Sequence, residues 1–571
     1  MMTPLNPLVK PLLTDAYQLT MAYAYWKAGR ANESAVFDLF FRKCPFKGEY
    51  TVFAGLQEAL SLIRAFSFSE EDVAYIRSAL LPHAEDAFFS WLSSLDCRDL
   101  KVYAIKEGTL VFPRVPLLRI EGPLGVGQLL ETVLLNAINY ATLICTNAAR
   151  FRLRVGWEKS LLEFGLRRAQ GPDGALSASR YSYMGTFDAT SNCLAGQLLD
   201  IPVRGTHAHA FVQSYTSLSQ IGEDGQDLLT RTLRYREAKA KKKKTPVTCY
   251  LETLIYDSFM ILIFLPLLPQ LLDYTTTNTG ELAAFVAYAT AFPDSFLALV
   301  DSYDTLVSGV PNFICVALAL DDMGKKPLGI RLDSGDLAYL SKQARAVMRD
   351  VGSSQARPWL QKVRIVASND INEKVLEALN SQGHEIDTFG VGTHLVTCQA
   401  QPALGCVFKL VEIEGAPRIK VSQSLGKITI PGRKEAYRLL DAQGQPLLDL
   451  MLRATDPAPK PGVPILCRHP FVSTKRVYAT PTKVQTLLEK VWDGECIGDQ
   501  PSMLHIRERV KEQLQFLRPD VSRTVNPTPY KVRWTYLTRL DQTRPSSLDS
   551  ICSCSSQQPA ARGVLLMYLL T

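Results

Sequence analysis

No Cys-x-x-Cys pair occurs among the 12 cysteines of this 571-residue chain, and no regular spacing relates them. That argues against zinc frameworks and leaves reduced thiols acting as small apolar groups. The opening Met1-Met2-Thr3-Pro4-Leu5 has no basic stretch leading into an apolar core. No secretory leader is therefore expected, and the cytosol is the default location. No internal repeat is visible. Lys and Arg exceed Asp and Glu by only 7, and the one dense cationic run is Lys239-Ala240-Lys241-Lys242-Lys243-Lys244. A nucleic-acid protein gathers its cations into a patch or stripe, so no nucleic-acid partner is expected. The mild excess suits an enzyme that handles anionic, phosphorylated substrates.

What is present is an ordinary globular composition, 47% hydrophobic and 21% charged, enough for a sizeable core. The length suggests roughly two to four domains. Residues 12–30 read as a helix with Thr14 as its N-cap. Residues 34–41 read as a strand with Ala35, Phe37, Leu39 and Phe41 on one face. The apolar stretch 122–144 reads as a buried helix and 158–168 as an amphipathic one. From about residue 280, helix and strand patterns alternate: a helix over 285–303, a strand over 313–319, short strands at 328–332 and 363–367, a helix over 373–382 and a strand over 386–391. Strand, polar loop, helix, repeated, indicates parallel βα units. Ligands of such folds gather at the C-terminal strand ends. Two segments fit poorly. Residues 221–278 hold the Lys run and the apolar stretch 254–272, broken by Asp257, Pro266 and Pro269, and are expected to form a mobile loop with no membrane span. The tail from 531 is rich in Ser, Gln and Arg.

Four loop motifs carry chemistry. Arg331-Leu332-Asp333-Ser334-Gly335-Asp336 follows a strand. Its Arg forks onto phosphate or carboxylate, and its acids suit Mg2+ or ribose hydroxyls; alone, it also reads as a capped turn. Ser368-Asn369-Asp370 ends another strand and equally serves as a helix cap. Gly390-Val391-Gly392-Thr393-His394 lets backbone N–H groups approach a phosphate. Gly205-Thr206-His207-Ala208-His209 holds two histidines, available as structural groups or for proton transfer and nucleophilic chemistry. Together they indicate an α/β barrel enzyme acting on a phosphosugar.

The ordered set resembles the nicotinate phosphoribosyltransferase family, in its animal form. The resemblance rests on Thr14-Asp15-Ala16-Tyr17-Gln18-Leu19-Thr20-Met21, Phe40-Phe41-Arg42-Lys43-Cys44-Pro45-Phe46, Thr146-Asn147-Ala148-Ala149-Arg150 and Arg167-Arg168-Ala169-Gln170-Gly171-Pro172-Asp173-Gly174, together with the motifs above. It implies an irregular TIM-like α/β barrel of the type II phosphoribosyltransferases and a second α+β domain built from both chain ends. The expected boundaries are 1–145 and 406–530 for the second domain, 146–405 for the barrel with an atypical 221–278 insert, and 531–571 for the tail. It also implies a homodimer with shared active sites. Nicotinate, phosphoribosyl pyrophosphate and ATP are the implied substrates, with Mg2+ (or Mn2+) as the metal. The implied catalytic residues are His209, as a phosphohistidine, Arg331 and Asp333, with Asp333 also the metal ligand. Nicotinate falls to Tyr17 from across the dimer, Phe187, Arg167 (with Arg168 beside it), Thr206 and Arg331. Phosphoribosyl pyrophosphate falls to Asp336, Ser368, Asn369, Gly390, Gly392, Thr393 and Lys409, with Lys420 nearby. Thr190-Ser191-Asn192 supplies neutral groups that favour an acid over an amide on the ring. Rival readings are an enzyme for nicotinamide or quinolinate, a catalytically impaired isoform acting as a binding protein, and a membrane-associated form using the Lys run.

Overall fold

The computed structural model describes residues 9–241, 274, 276–420, 422, 424, 427–469 and 472–535. Lys242–Lys244, the apolar stretch 254–272 and the tail beyond 535 lie outside the described residues. The chain forms two compact units: Met1–Ala149 with Arg180–Thr186 and Cys398–Thr571, and Arg150–Ser179 with Phe187–Thr397.

The second unit is the barrel. Six parallel strands lie in the order Ala189–Thr190, Ser160–Glu163, Thr388–Val391, Arg364–Ser368, Gly329–Leu332 and Leu297–Leu299. They are short and largely buried on both faces, as parallel strands under covering helices must be. The two edges meet the segment 203–207. Val203 pairs with Thr190, and the His207 ring nitrogen Nε2 accepts the Leu299 N–H at 3.3 Å. One seam is thus closed partly by a side chain.

Several local expectations change. Residues 158–168 form the strand Ser160–Glu163 and then a single 3-10 turn. Residues 285–303 split into the helix Thr279–Ala291 and the strand Leu297–Leu299. Residues 313–319 lie inside the helix Val310–Asp322, not in a strand. That helix has eleven consecutive buried positions, Val310–Leu320, so its pattern carries no period, and only its length and Pro311 in the first turn mark it as helical. The 221–278 segment is not a loop throughout, because Gln226–Lys241 is a helix packed on Val310–Asp322. Arg236 of that helix donates to the Tyr274 and Thr277 carbonyls at 2.9 and 3.1 Å. At the N-terminus the helix is Ala16–Lys27 and its N-cap is Asp15, not Thr14. The 122–144 stretch begins as the end of the strand Leu118–Pro123 and continues as helices Leu124–Leu129 and Glu131–Val155. The strands at 329–332, 364–368 and 388–391 and the helix Glu373–Gln382 lie close to their expected places.

Among the described residues the first unit has two six-stranded, mainly antiparallel sheets and a small two-stranded one, Thr51–Val52 with Leu110–Val111. In one, Ser34–Phe41 lies between Leu118–Pro123 and Cys406–Ile413, so both chain ends share a sheet. Buried charge ties this sheet to the other. Lys434 Nζ reaches Asp38 at 2.6 Å, with both side chains at most 3% exposed. Arg119 bridges Glu121 and Glu435. Burial drives Asp38 upward in pKa and Lys434 downward, each opposed by the partner's charge. The tie therefore stabilises only while both members remain.

Candidate active site

Arg331 is the hub of the barrel's C-terminal edge. Its Nε donates to Ser368 Oγ at 2.9 Å, one terminal nitrogen to Thr206 Oγ1 at 3.2 Å and the other to Asp333 Oδ1 at 2.9 Å. A guanidinium has five N–H groups. These contacts use three, which fixes its plane and leaves two donors for a ligand. Ser368 Oγ also donates to Asp333. The Phe164 ring lies beside the hub, with its centroid 5.4 Å from the guanidinium carbon. Four expected residues, Arg331, Thr206, Asp333 and Ser368, therefore meet although they come from three separate stretches of chain.

Asp301 was not anticipated. It lies just beyond the strand Leu297–Leu299, and its side chain is 2% exposed. Oδ2 accepts the Asp333 N–H at 3.1 Å and the Ser334 hydroxyl at 2.5 Å, while Oδ1 lies 3.2 Å from His209 Nε2. One buried carboxylate thus holds both the acidic loop and the half-exposed His209, which opens the helix His209–Gln213. The neighbouring His207 plays a different part. It is buried against Tyr288 and Phe211, and burial, its largest influence, lowers it to about 4. His207 is thus a neutral seam residue at neutral pH.

Behind Asp301, Glu281 is fully buried. Ser308 Oγ and Asn312 Nδ2 donate to it at 2.6 and 3.0 Å. Burial raises Glu281 to about 7, the two hydrogen bonds pull it down, and Asp301 and Asp304 push it further up. The folded protein holds this proton between about 4.5 and about 7, where the unfolded chain has lost it. Stability from this group is therefore full below that window and falls as pH rises through it. The unfolding free energy is expected to fall between pH 5 and pH 8, by no more than ~3 kcal/mol from this group, and the melting temperature to fall with it. Glu281→Gln should flatten the fall, and an equal slope in the variant would assign the pH dependence elsewhere.

The remaining candidates are placed as follows. Gly390 lies one residue before the end of its strand, where an added Cβ would lie 2.4 Å from the Phe164 ring, and a Cβ on Gly392 would lie 3.2 Å from the Phe164 carbonyl oxygen. Both glycines thus permit close approach to the segment bearing the aromatic ring. Thr393 begins a one-turn helix and is partly exposed, and Asn369 is exposed. Asp336 is the N-cap of Leu337–Ser354, accepting the Tyr339 N–H at 3.0 Å, so one of its oxygens is already committed. Phe187 is fully buried, edge-on to Phe151, and offers no open ring face. Phe164 is the ring beside Arg331, and it lines a barrel cavity of about 740 Å3 together with Thr206, Arg204 and Val366. Arg167 and Arg168 are exposed on their 3-10 turn. In the first unit, Tyr17 is 46% exposed. Lys409 is held down by burial, with the charge of Glu131 opposing and those of Arg42 and Lys420 adding to the fall.

The acids nearest Thr190-Ser191-Asn192 are already bonded within the barrel. Asp188 is 2.7 Å from Arg152 and accepts the Leu161 N–H at 2.8 Å. Glu163, buried at the end of its strand, accepts from Ser179 at 2.8 Å, Thr190 at 2.5 Å and the Gly165 N–H. Among the described residues no three His, Cys, Asp or Glu side chains are grouped to hold a metal between them.

The model described as the nicotinate phosphoribosyltransferase N-terminal domain matches residues 12–139, the family model matches 317–451 and the C-terminal domain model matches 433–539. Nicotinate phosphoribosyltransferase 2 of Arabidopsis thaliana is 52% identical over 534 residues, covering 93% of each chain. The Homo sapiens nicotinate phosphoribosyltransferase is 43% identical, over 92% of this chain and 94% of its own. The crystal structure of human nicotinic acid phosphoribosyltransferase superposes with a TM-score of 0.78 at 41% identity, over 92% of this chain and 98% of that one. With the barrel, its Arg331 hub and matches spanning most of its length, this chain belongs to the nicotinate phosphoribosyltransferase family.

Proposed function

We propose that the chain joins nicotinate to the ribose 5-phosphate of phosphoribosyl pyrophosphate, releasing pyrophosphate and making nicotinate mononucleotide, with ATP hydrolysis coupled through His209. The observation that carries this reading is the Arg331 hub: a guanidinium pinned on three sides, with two N–H groups left to fork onto a ring carboxylate and an aromatic ring beside it. A carboxylate takes both donors, whereas the amide of nicotinamide presents only one acceptor oxygen to them. Asp333 is suited to the ribose hydroxyls, and Ser368, Asn369, Gly390, Gly392 and Thr393 to the 5-phosphate.

Phosphorylation of His209 would place about −1.5 to −2 charges, by analogy with other phosphorylated side chains, beside the Asp301 carboxylate. The pair His209–Asp301 and the loop Asp333–Ser334 would then separate or take up a cation. A Mg2+ held chiefly by substrate phosphates needs only one or two protein carboxylates. Asp333, with one oxygen outside the Arg331 and Ser368 bonds, fits that need. When bound, the metal would neutralise charge growing on the departing pyrophosphate. The working form is a cytosolic homodimer in which Tyr17 of one protomer completes the other's barrel site, and Lys409 is suited to the pyrophosphate.

The test is product formation by purified protein with phosphoribosyl pyrophosphate and Mg2+, offering nicotinate and nicotinamide separately, with and without ATP. Nicotinate alone should give mononucleotide, and ATP should accelerate it in the wild type but not in His209→Ala. No product from either base in a folded dimer would overturn the reading and favour a catalytically silent binding protein.

A further inference from the structure

The first unit holds a second cavity, of about 500 Å3, between the helix Met503–Phe516 and the strands Lys434–Leu440 and Lys483–Thr486. It shares no lining residue with the barrel cavity, and its volume lies within the usual range for small-molecule sites. Its lining is cationic: Lys106, Arg438, Lys483, Arg509 and Arg518 against the single acid Glu512. Three of those cations have carboxylate partners. Lys106 reaches Glu489 at 3.0 Å, Arg518 reaches Asp520 at 2.6 Å and Arg438 is paired with Asp449. Lys483 and Arg509 have no carboxylate within ion-pair distance among the described residues. Arg509 spends one nitrogen on the Glu107 carbonyl at 2.6 Å, and it is half-buried. Burial lowers its affinity for its proton, with Glu107, Glu489 and Glu512 opposing, as for a cation stripped of water without full compensation.

The other wall is apolar and aromatic. Phe112 and Tyr530 stack with centroids 3.4 Å apart and planes 10° apart. Phe516 stands 59% exposed at the mouth, where its ring face is open to a planar ligand. An exposed ring and two cations without an ion-pair partner among the described residues match a ligand with a ring at one end and a multiply charged anion at the other.

We infer that this cavity binds a nucleoside phosphate, with its base on Phe516 and its phosphate between Lys483 and Arg509. The site is separate from the catalytic one and is placed to regulate or to store a nucleotide, not to react with it. Because the barrel site is itself read as a phosphate site, the experiment must tell the two apart.

Equilibrium dialysis of the full-length protein with AMP, adenosine and inorganic phosphate, each with and without saturating phosphoribosyl pyrophosphate, does so. AMP is expected to bind in the presence of phosphoribosyl pyrophosphate and at least tenfold more tightly than adenosine or phosphate. Lys483→Glu, on an exposed strand position, should weaken AMP at least tenfold while leaving turnover without AMP unchanged. Phe516→Ala should weaken AMP but not phosphate. No AMP binding, or AMP wholly displaced by phosphoribosyl pyrophosphate, overturns the inference, as does AMP binding indifferent to Lys483→Glu. The Lys483→Glu arm does not depend on the proposed reaction, so an inactive protein that still binds AMP in this way would sink that reading and leave this one standing.

Discussion

Replacing Arg331 with alanine is expected to lower kcat/KM for nicotinate by ~10²–10⁴-fold. Each hydrogen bond from a charged donor is worth about 1.5–3 kcal/mol, and two are lost, at about 1.4 kcal/mol per factor of ten. Arg331→Lys should recover only part of this, because an ammonium keeps the charge but cannot fork. The effect has a signature beyond its size. The loss should fall mainly on the KM for nicotinate, and the variant's preference for nicotinate over nicotinamide should shrink. Thr206, Ser368 and Asp333 lose a partner as well, so some loss of kcat accompanies it. If the KM for phosphoribosyl pyrophosphate rises while that for nicotinate stays put, Arg331 holds the sugar donor and the assignment of the ring carboxylate is wrong.

The largest single loss of stability is expected from Asp449→Ala. Arg438 and Asp449 form a two-pronged pair at 2.8 and 2.9 Å, with side chains 4% and 1% exposed. Tyr530 adds a third bond to Asp449 at 3.0 Å, and Arg438 also donates to the Leu110 carbonyl at 2.7 Å. Burial works against the Arg438 charge, and Asp449 more than restores it. Removing the carboxylate leaves a guanidinium in the core of the first unit, at a cost of about 3–5 kcal/mol. At a few degrees per kcal/mol, the apparent melting temperature should fall by roughly 10 °C. The double variant Arg438→Met with Asp449→Leu should recover most of it, because the pair's net contribution is small beside the cost of breaking it. An Asp449→Ala protein that melts with the wild type would show that water reaches Arg438 and that the site is not the sealed pair described.

The parts of the site that sequence could reveal were those whose strands stand out. The 329–332 and 364–368 strands are short aliphatic runs, each ending in a polar loop, so Arg331, Asp333 and Ser368 could be assigned to strand ends before any coordinates. Phe164 and Asp301 were hidden for one physical reason. Their strands have four and three residues, too few to show a period, and Leu297–Leu299 is buried throughout. The apolar residues around 297–299 therefore merged with the preceding helix, and 160–163 was absorbed into a false one. With the strand ends misplaced, the choice of an aromatic wall fell on Phe187, a core residue. The two-domain plan was legible through the family resemblance, whose matching motifs run from Thr14 to Thr393. The sharing of one sheet by 34–41 and 406–413 needed coordinates, since nothing local to either strand names its partner.

That order of strands also dictates when the barrel can form during synthesis. Leu162 has its central neighbour in Gly390, more than two hundred residues further along the chain. On the ribosome the 160–163 strand must wait for nearly the whole barrel sequence to emerge, with only the two-residue strand Ala189–Thr190 to pair with meanwhile. Parallel pairings at such separations are slow to nucleate and leave apolar edges uncovered. The atypical segment lies between Thr190 and Leu297, inside that waiting interval. Its main influence would then fall on the yield of folded chains, through the time the first strands spend unpartnered, and chaperone supply during expression would govern how much active protein is recovered.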